Sequence, residues 1–113
     1  GTDWEKYWAC LVCSQLGQKA KPLSSHFKKM LSSKNLMLRM RAIEALALTE
    51  KIDPMPSLID IANLSESSVE VLLILNTVTF FRDHHGFELN PKLLKIIVSK
   101  GEYYRRIEYF SQN

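Results

Sequence analysis

The chain contains no apolar run of the roughly 18–20 residues that a membrane-spanning helix needs. Nor does it open on the charged and apolar pattern of a secretory signal. Glycine and proline are scarce, with four of each in 113 residues, which argues against a fibrous or disordered chain. Histidine is limited to three residues and cysteine to two. Cys10 and Cys13 form the only Cys-x-x-Cys pair. Without a second pair or a spaced His-His partner, four zinc ligands cannot be assembled from sequence neighbours. A thioredoxin-like site would need a βαβ context that is missing here. Both thiols lie inside the apolar run ACLVC and read as buried small hydrophobes. No metal and no cofactor is expected.

What is present is ordinary globular material: 46% hydrophobic and 24% charged residues. The length suits one domain, taken as residues 2–113. Gly1 reads as a cloning remnant and the chain runs straight into a helical pattern, so the expectation is a piece excised from the C-terminus of a longer protein. The net charge of +3 is unevenly spread: residues 1–41 are basic, 42–70 acidic and 71–113 mildly basic. Such asymmetry serves contacts with another protein domain as well as with nucleic acid.

The run LMLRMRAIEALAL (36–48) organises the rest. At helical spacing Leu36, Met40, Ile43 and Ala47 share one side, Ala42 and Leu46 widen it, and Arg41 and Glu44 lie roughly opposite. Ala42, Ala45 and Ala47 permit close approach of neighbours. So much apolar circumference requires several packed helices.

Before it, Asp3 begins or caps a helix with Trp4, Tyr7, Trp8, Leu11 and Val12 at three- and four-residue steps, stopping at Gly17. A polar connector (18–21) leads to a second helix over 23–31 that buries Phe27, Met30 and Leu31, with Ser24 or Ser25 as its cap. Asn35 caps the central helix, which ends near Thr49. After Asp53-Pro54-Met55-Pro56, a fourth helix spans 56–63 and buries Leu58, Ile59 and Ala62. A fifth, 69–82, contains VEVLLILNTVTFF and should be the most enclosed element. Its β-branched residues leave a buried strand as the competing assignment, and its length favours helix. Asn76 there needs polar partners if buried. Asn90-Pro91 starts a sixth helix that Gly101 ends.

Long helices opening near 3, 35 and 67, each followed by a shorter one behind a proline, give a spacing of about 32 residues. The fold expected is all-α: a HEAT-like α-α superhelix of about three helix pairs, since no single pair covers its own apolar face. Arg39 falls on the packing side of its helix. The arginine that HEAT-like repeats carry there implies a structural role for it, held by turn carbonyls, because Ser33 replaces the usual acidic partner.

A closer resemblance rests on YWACLVCSQLG, MRAIEALALTEKIDPMPSLIDIAN and VEVLLILNTVTFFRDHHGF, including Tyr7-Trp8-Ala9 and Leu75-Asn76-Thr77. These segments resemble the C-terminal helical extension of bacterial sulfatases of the alkaline-phosphatase superfamily (N-sulfoglucosamine sulfohydrolase-like). The resemblance implies a non-catalytic accessory module that packs on its own upstream catalytic domain or another subunit, near a cleft for sulfated glycans. It also implies a periplasmic or extracellular location. No catalytic residue carries over, because neither cysteine begins the family's Cys/Ser-x-Pro-x-Arg motif.

Asp83, His84 and His85 are the most metal-like cluster, yet adjacent loop residues rarely ligate one ion, and histidine also suits a helix C-terminus. Asp60, Glu66 and Glu70 read as surface carboxylates rather than an acid–base pair. Lys19, Lys21, Lys28, Lys29, Lys34 and Arg41 invite a nucleic-acid reading, but they lack interleaved aromatics and read better as a solvated face. Tyr103, Tyr104, Arg105 and Arg106 suit a C-terminal cap. The candidate interaction surface is Trp4, Tyr7, Lys28, Lys29 and Arg41. The alternatives are a free-standing protein–protein scaffold and a nucleic-acid-backbone binder.

Overall fold

The computed structural model describes residues 2–90, and every regular element among them is helical. The expected sixth helix and the Tyr103–Arg106 stretch lie outside the described residues. The chain divides into two units, residues 1–54 and 55–113.

In the first unit, α1 (Asp3–Ser14), a 3-10 helix (Gly17–Leu23), α2 (Ser24–Met30) and α3 (Leu36–Glu50) follow one another. Asp3 begins α1, and Thr2 caps it: the Thr2 hydroxyl accepts from the Glu5 N–H at 3.2 Å. Gly17 takes a left-handed φ of +57°, a conformation open to glycine at little cost. The polar connector expected over 18–21 is wound into a 3-10 helix, Gly17–Leu23, that includes Pro22 and buries Ala20.

α1, the 3-10 helix and α2 all pack on α3, and α2 also packs on the 3-10 helix and meets α1 through Cys10 and Met30. Eight of the fifteen residues of α3 are buried, so it is more enclosed than any other described helix. Its small residues set the geometry. Ala42 and Ala45 are fully buried, and Ala45 and Leu46 share a cluster with Cys10 of α1 and Phe27 of α2. Cys10 and Ser14 are the buried residues of α1, because small side chains on both helices let the backbones approach.

The Asn35 carboxamide oxygen accepts from the N–H groups of Met37 and Leu38 at 3.1 and 3.2 Å. Asn35→Ala is expected to lower stability by about 1 kcal/mol, read as a lower urea midpoint with an unchanged slope; Asn35→Asp should retain most of it. α2 has no side-chain cap. The Ser24 hydroxyl expected there is buried without a hydrogen-bond partner among the described residues. α3 ends on Lys51 in the left-handed region at φ 58°, where a non-glycine residue costs about 1–2 kcal/mol.

The second unit contains α4 (Met55–Leu64) and α5 (Ser68–His85), which pack together. α4 buries the expected Leu58, Ile59 and Ala62, with Met55 and Ile61 in addition. The strand alternative for 69–81 is excluded. The Thr77 and Thr79 hydroxyls donate to the carbonyls of Leu73 and Leu75 four residues back, which satisfies them within a helix. α5 buries the stripe Val71, Ile74, Val78 and Phe81. It is not the most enclosed element, since Val69, Leu73 and Phe80 remain exposed.

Ser67 caps α5 by accepting from the Glu70 N–H at 3.3 Å. Glu70 does not complete the usual reciprocal capping box. The Ser65 hydroxyl accepts from the Ser67 N–H at 3.2 Å and donates to the Glu70 carboxylate at 2.8 Å, standing between the two. Gly86 ends α5 at φ +67°, and the N–H groups of Gly86 and Phe87 both turn back to the Phe81 carbonyl.

Candidate interaction surface

α1 is apolar on two sides. Cys10 lies roughly 200° round the helix from Trp8, so burying the cysteine side turns the tryptophan side outward. Trp4, Trp8, Val12 and Leu16 are 66%, 45%, 61% and 53% exposed. Trp4, Trp8 and Val12 follow one another at four-residue steps along one ridge of α1, and Leu16 lies in the turn just beyond its end.

The aromatic end of this ridge is organised. Trp4 stacks on Tyr7 with ring centroids 6.1 Å apart and planes 2° from parallel. Trp8 stands edge-on to both, at 5.4 and 6.0 Å. Stacked and edge-to-face pairs of this kind add roughly 0.5–1.5 kcal/mol each when buried. The half-buried Tyr7 links the cluster to α3, because the Arg41 guanidinium lies over its ring at 5.0 Å.

Arg41 also donates to the Glu44 carboxylate at 2.7 Å. Burial acts to lower its pKa, but Tyr7 and Glu44 outweigh burial and hold it above the usual guanidinium value. Its charge is therefore spent inside the unit. Lys28 likewise meets Glu50 at 3.3 Å. Of the five residues expected to form an interaction surface, Trp4 is open, Tyr7 and Arg41 form its support, and Lys28 is paired. Lys29 borders a pocket on another flank. Val12 and Leu16 join the two tryptophans on the open side although the expected surface did not include them, because periodicity alone does not say which of two apolar sides of a helix is covered.

Other candidates are committed locally. Arg39 is half-buried, and its Nε is buried without a hydrogen-bond partner among the described residues, so the expected turn carbonyls do not meet that nitrogen. Asn76 is exposed, and no buried amide has to be satisfied there. Asp60 and Glu66 are exposed, while Glu70 is held by Ser65. His84 and His85 rest on aromatic rings, with Phe80 to His84 at 5.6 Å and Phe80 to His85 at 5.0 Å. Asp83 accepts from Arg82 at 2.9 Å, which holds its carboxyl below the ordinary range. No group of three or more potential metal ligands converges among the described residues, and no described helix is long and apolar enough to cross a membrane.

The thiols are free; Cys10 is buried and Cys13 half-buried. The Cys10 thiol points at the Met30 sulfur, 3.1 Å away. Burial, reinforced by Cys13 and Glu44, pushes the Cys10 thiol up to about 11. A pKa raised on folding adds stability below the unfolded value, and that stability is lost as pH rises through the folded value. Stability is therefore expected to fall between about pH 9 and pH 11. The fall should be reduced in Cys10→Ala, and alkylation at pH 8 should reach Cys13 well before Cys10. Equal labelling of both thiols in the native chain would contradict the burial of Cys10.

No family model, curated protein or solved structure matches this chain.

Proposed function

We propose that this chain is a non-catalytic interaction module in which the Trp4–Trp8–Val12 ridge of α1, with Leu16 of the turn that follows, docks on another protein surface. The single observation carrying the reading is that ridge: a helix seated on α3 by one face while Trp4, Trp8 and Val12 on the other, and Leu16 just past its end, stand in solvent. A helix apolar on opposite sides has the pattern of an inner element of a stack, with a neighbour on each side. Fully covering each such side chain is worth about 1.5–3 kcal/mol, enough in sum to hold two domains together. The architecture that fits is a HEAT-like α-α superhelix continued by its partner.

In its most specific form the partner is the upstream catalytic domain, or a neighbouring subunit, of a bacterial sulfatase acting on sulfated glycans outside the cytoplasm. The resemblance in the first, third and fifth helices supports this form. Nucleic acid is a weaker partner, since Lys28 and Arg41 already sit on carboxylates.

Two measurements test the proposal separately. Reading the coding sequence upstream of residue 2 tests the parentage, and absence of a Cys/Ser-x-Pro-x-Arg core there removes the sulfatase form. Tryptophan emission tests docking. The isolated chain should emit as a solvated indole and be quenched readily by acrylamide, whereas in the full-length protein the emission should shift to the blue and resist quenching. Emission from Trp4 and Trp8 that stays solvated in the full-length protein would overturn docking through α1.

A further inference from the structure

A half-open depression of about 360 Å³ lies on the surface of the first unit, with mostly exposed side chains round it; its volume falls in the range of small-molecule sites. Its polar lining comes from Asp3 and Lys6 of α1, His26 and Lys29 of α2, and Ser32 and Ser33 of the following turn, over a floor of Met30 and Leu38. Neither lysine has an ion pair among the described residues, in contrast to Lys28, one position away, which is held by Glu50. Ser33 Oγ already accepts from the Asn35 N–H at 3.1 Å, so its own proton is left to donate. Ser32 supplies a second hydroxyl. The lining is therefore rich in donors and carries two ammonium groups against one carboxylate. Hydrogen bonds from charged donors to an oxyanion are about twice as strong as neutral ones. The lone carboxylate, Asp3, is an acceptor suited to a ligand hydroxyl.

We infer that this pocket binds a small hydroxylated ligand carrying one phosphate or sulfate ester. The ester oxygens meet Lys6, Lys29 and the two serine hydroxyls, a ligand hydroxyl donates to Asp3, and the apolar floor of Met30 and Leu38 underlies the carbon skeleton. The site is separate from the docking ridge, because Lys6 lies roughly 160° round α1 from both Trp4 and Trp8, and Asp3 lies roughly 100° and 140° from them.

The test is a titration of the whole chain with glucose 6-phosphate, glucose 6-sulfate and glucose, followed by two-dimensional NMR. Saturable shifts at the amides of Ser32 and Ser33 and at the His26 ring are expected with at least one ester and not with glucose. The more tightly bound ester identifies which of the two sources the site prefers. Lys29→Ala and Lys6→Ala should each weaken binding about tenfold, while Lys28→Ala leaves it unchanged. All three lysines are exposed, and the spectra of the free variants report directly that each is folded; Lys29→Met, which keeps the stem, should weaken binding as Lys29→Ala does. Three results would overturn the inference: shifts that never saturate with either ester, equal shifts with glucose, or a loss with Lys28→Ala matching that with Lys29→Ala.

Discussion

Phe81→Ala is expected to destabilise the second unit by about 3–5 kcal/mol, a large fraction of the stability of a small domain. Phe81 is fully buried on the α5 stripe. Its ring touches Phe80, His85 and Phe87 at centroid distances of 5.2, 5.6 and 5.9 Å, and its carbonyl receives the N–H groups that close the helix end. Truncation leaves a void that these flanking rings cannot fill without moving. Urea unfolding followed by circular dichroism should show a lower midpoint with little change in slope. Phe80→Ala is the control. It removes the same group from the neighbouring position, where the ring is 39% exposed, and should cost less than half as much. Equal losses at 80 and 81 would mean that α5 is rotated from the orientation described here.

The second large effect is expected at Phe27. α2 is seven residues long and lacks a side-chain cap, so it falls far short of the roughly 12–15 residues at which an isolated helix becomes even marginal in water. It persists because Phe27 sits in the cluster with Cys10, Ala45 and Leu46. Phe27→Ala should cost about 3–5 kcal/mol and release α2 from α3. Amide exchange across 24–30 is then expected to accelerate far more than exchange in the middle of α3. Lys28→Ala gives the scale for comparison. Its contact with Glu50 involves a lysine side chain that is 56% exposed, a class worth about 0–1 kcal/mol. Loss of protection in α2 as complete with Lys28→Ala as with Phe27→Ala would show that the salt bridge, not the ring, holds the helix down.

The positions of the helices were legible where local chemistry marks them. Asn35 before the central run, Ser67 in the 65–68 cap region, and the glycines at 17 and 86 all do in three dimensions what their residue types favour locally. The 3-10 winding of Gly17–Leu23 was not legible, because polar composition and a proline say only that an α-helix stops. The cap of α2 failed for a related reason: Ser24 is drawn into the protein as α2 lies on α3, and its hydroxyl is left facing the interior. Lys51 gives the opposite case, since nothing in its residue type favours the left-handed conformation it adopts.

The candidate surface was half legible. Trp4 and Tyr7 stood out as aromatic residues at helical spacing, yet two of the three charged members grouped with them, Lys28 and Arg41, have internal partners. Arg41 lies over Tyr7 and on Glu44, and Lys28 reaches Glu50, 22 positions along the chain. A pairing of that span depends on how α2 is laid on α3, and charge counting along the sequence does not register it.

The sequence by itself determined that this protein is helical and where most of its helices start and stop, because caps, prolines, glycines and apolar spacing act within a few residues of where they stand. Tertiary structure alone decided which side of each helix faces inward. α1 and α5 each carry more apolar surface than their described neighbours cover, and the choice between faces is made by fit. Cys10 and Ser14 are small enough to let α1 settle on the alanines of α3, and that contact leaves the two tryptophans outside.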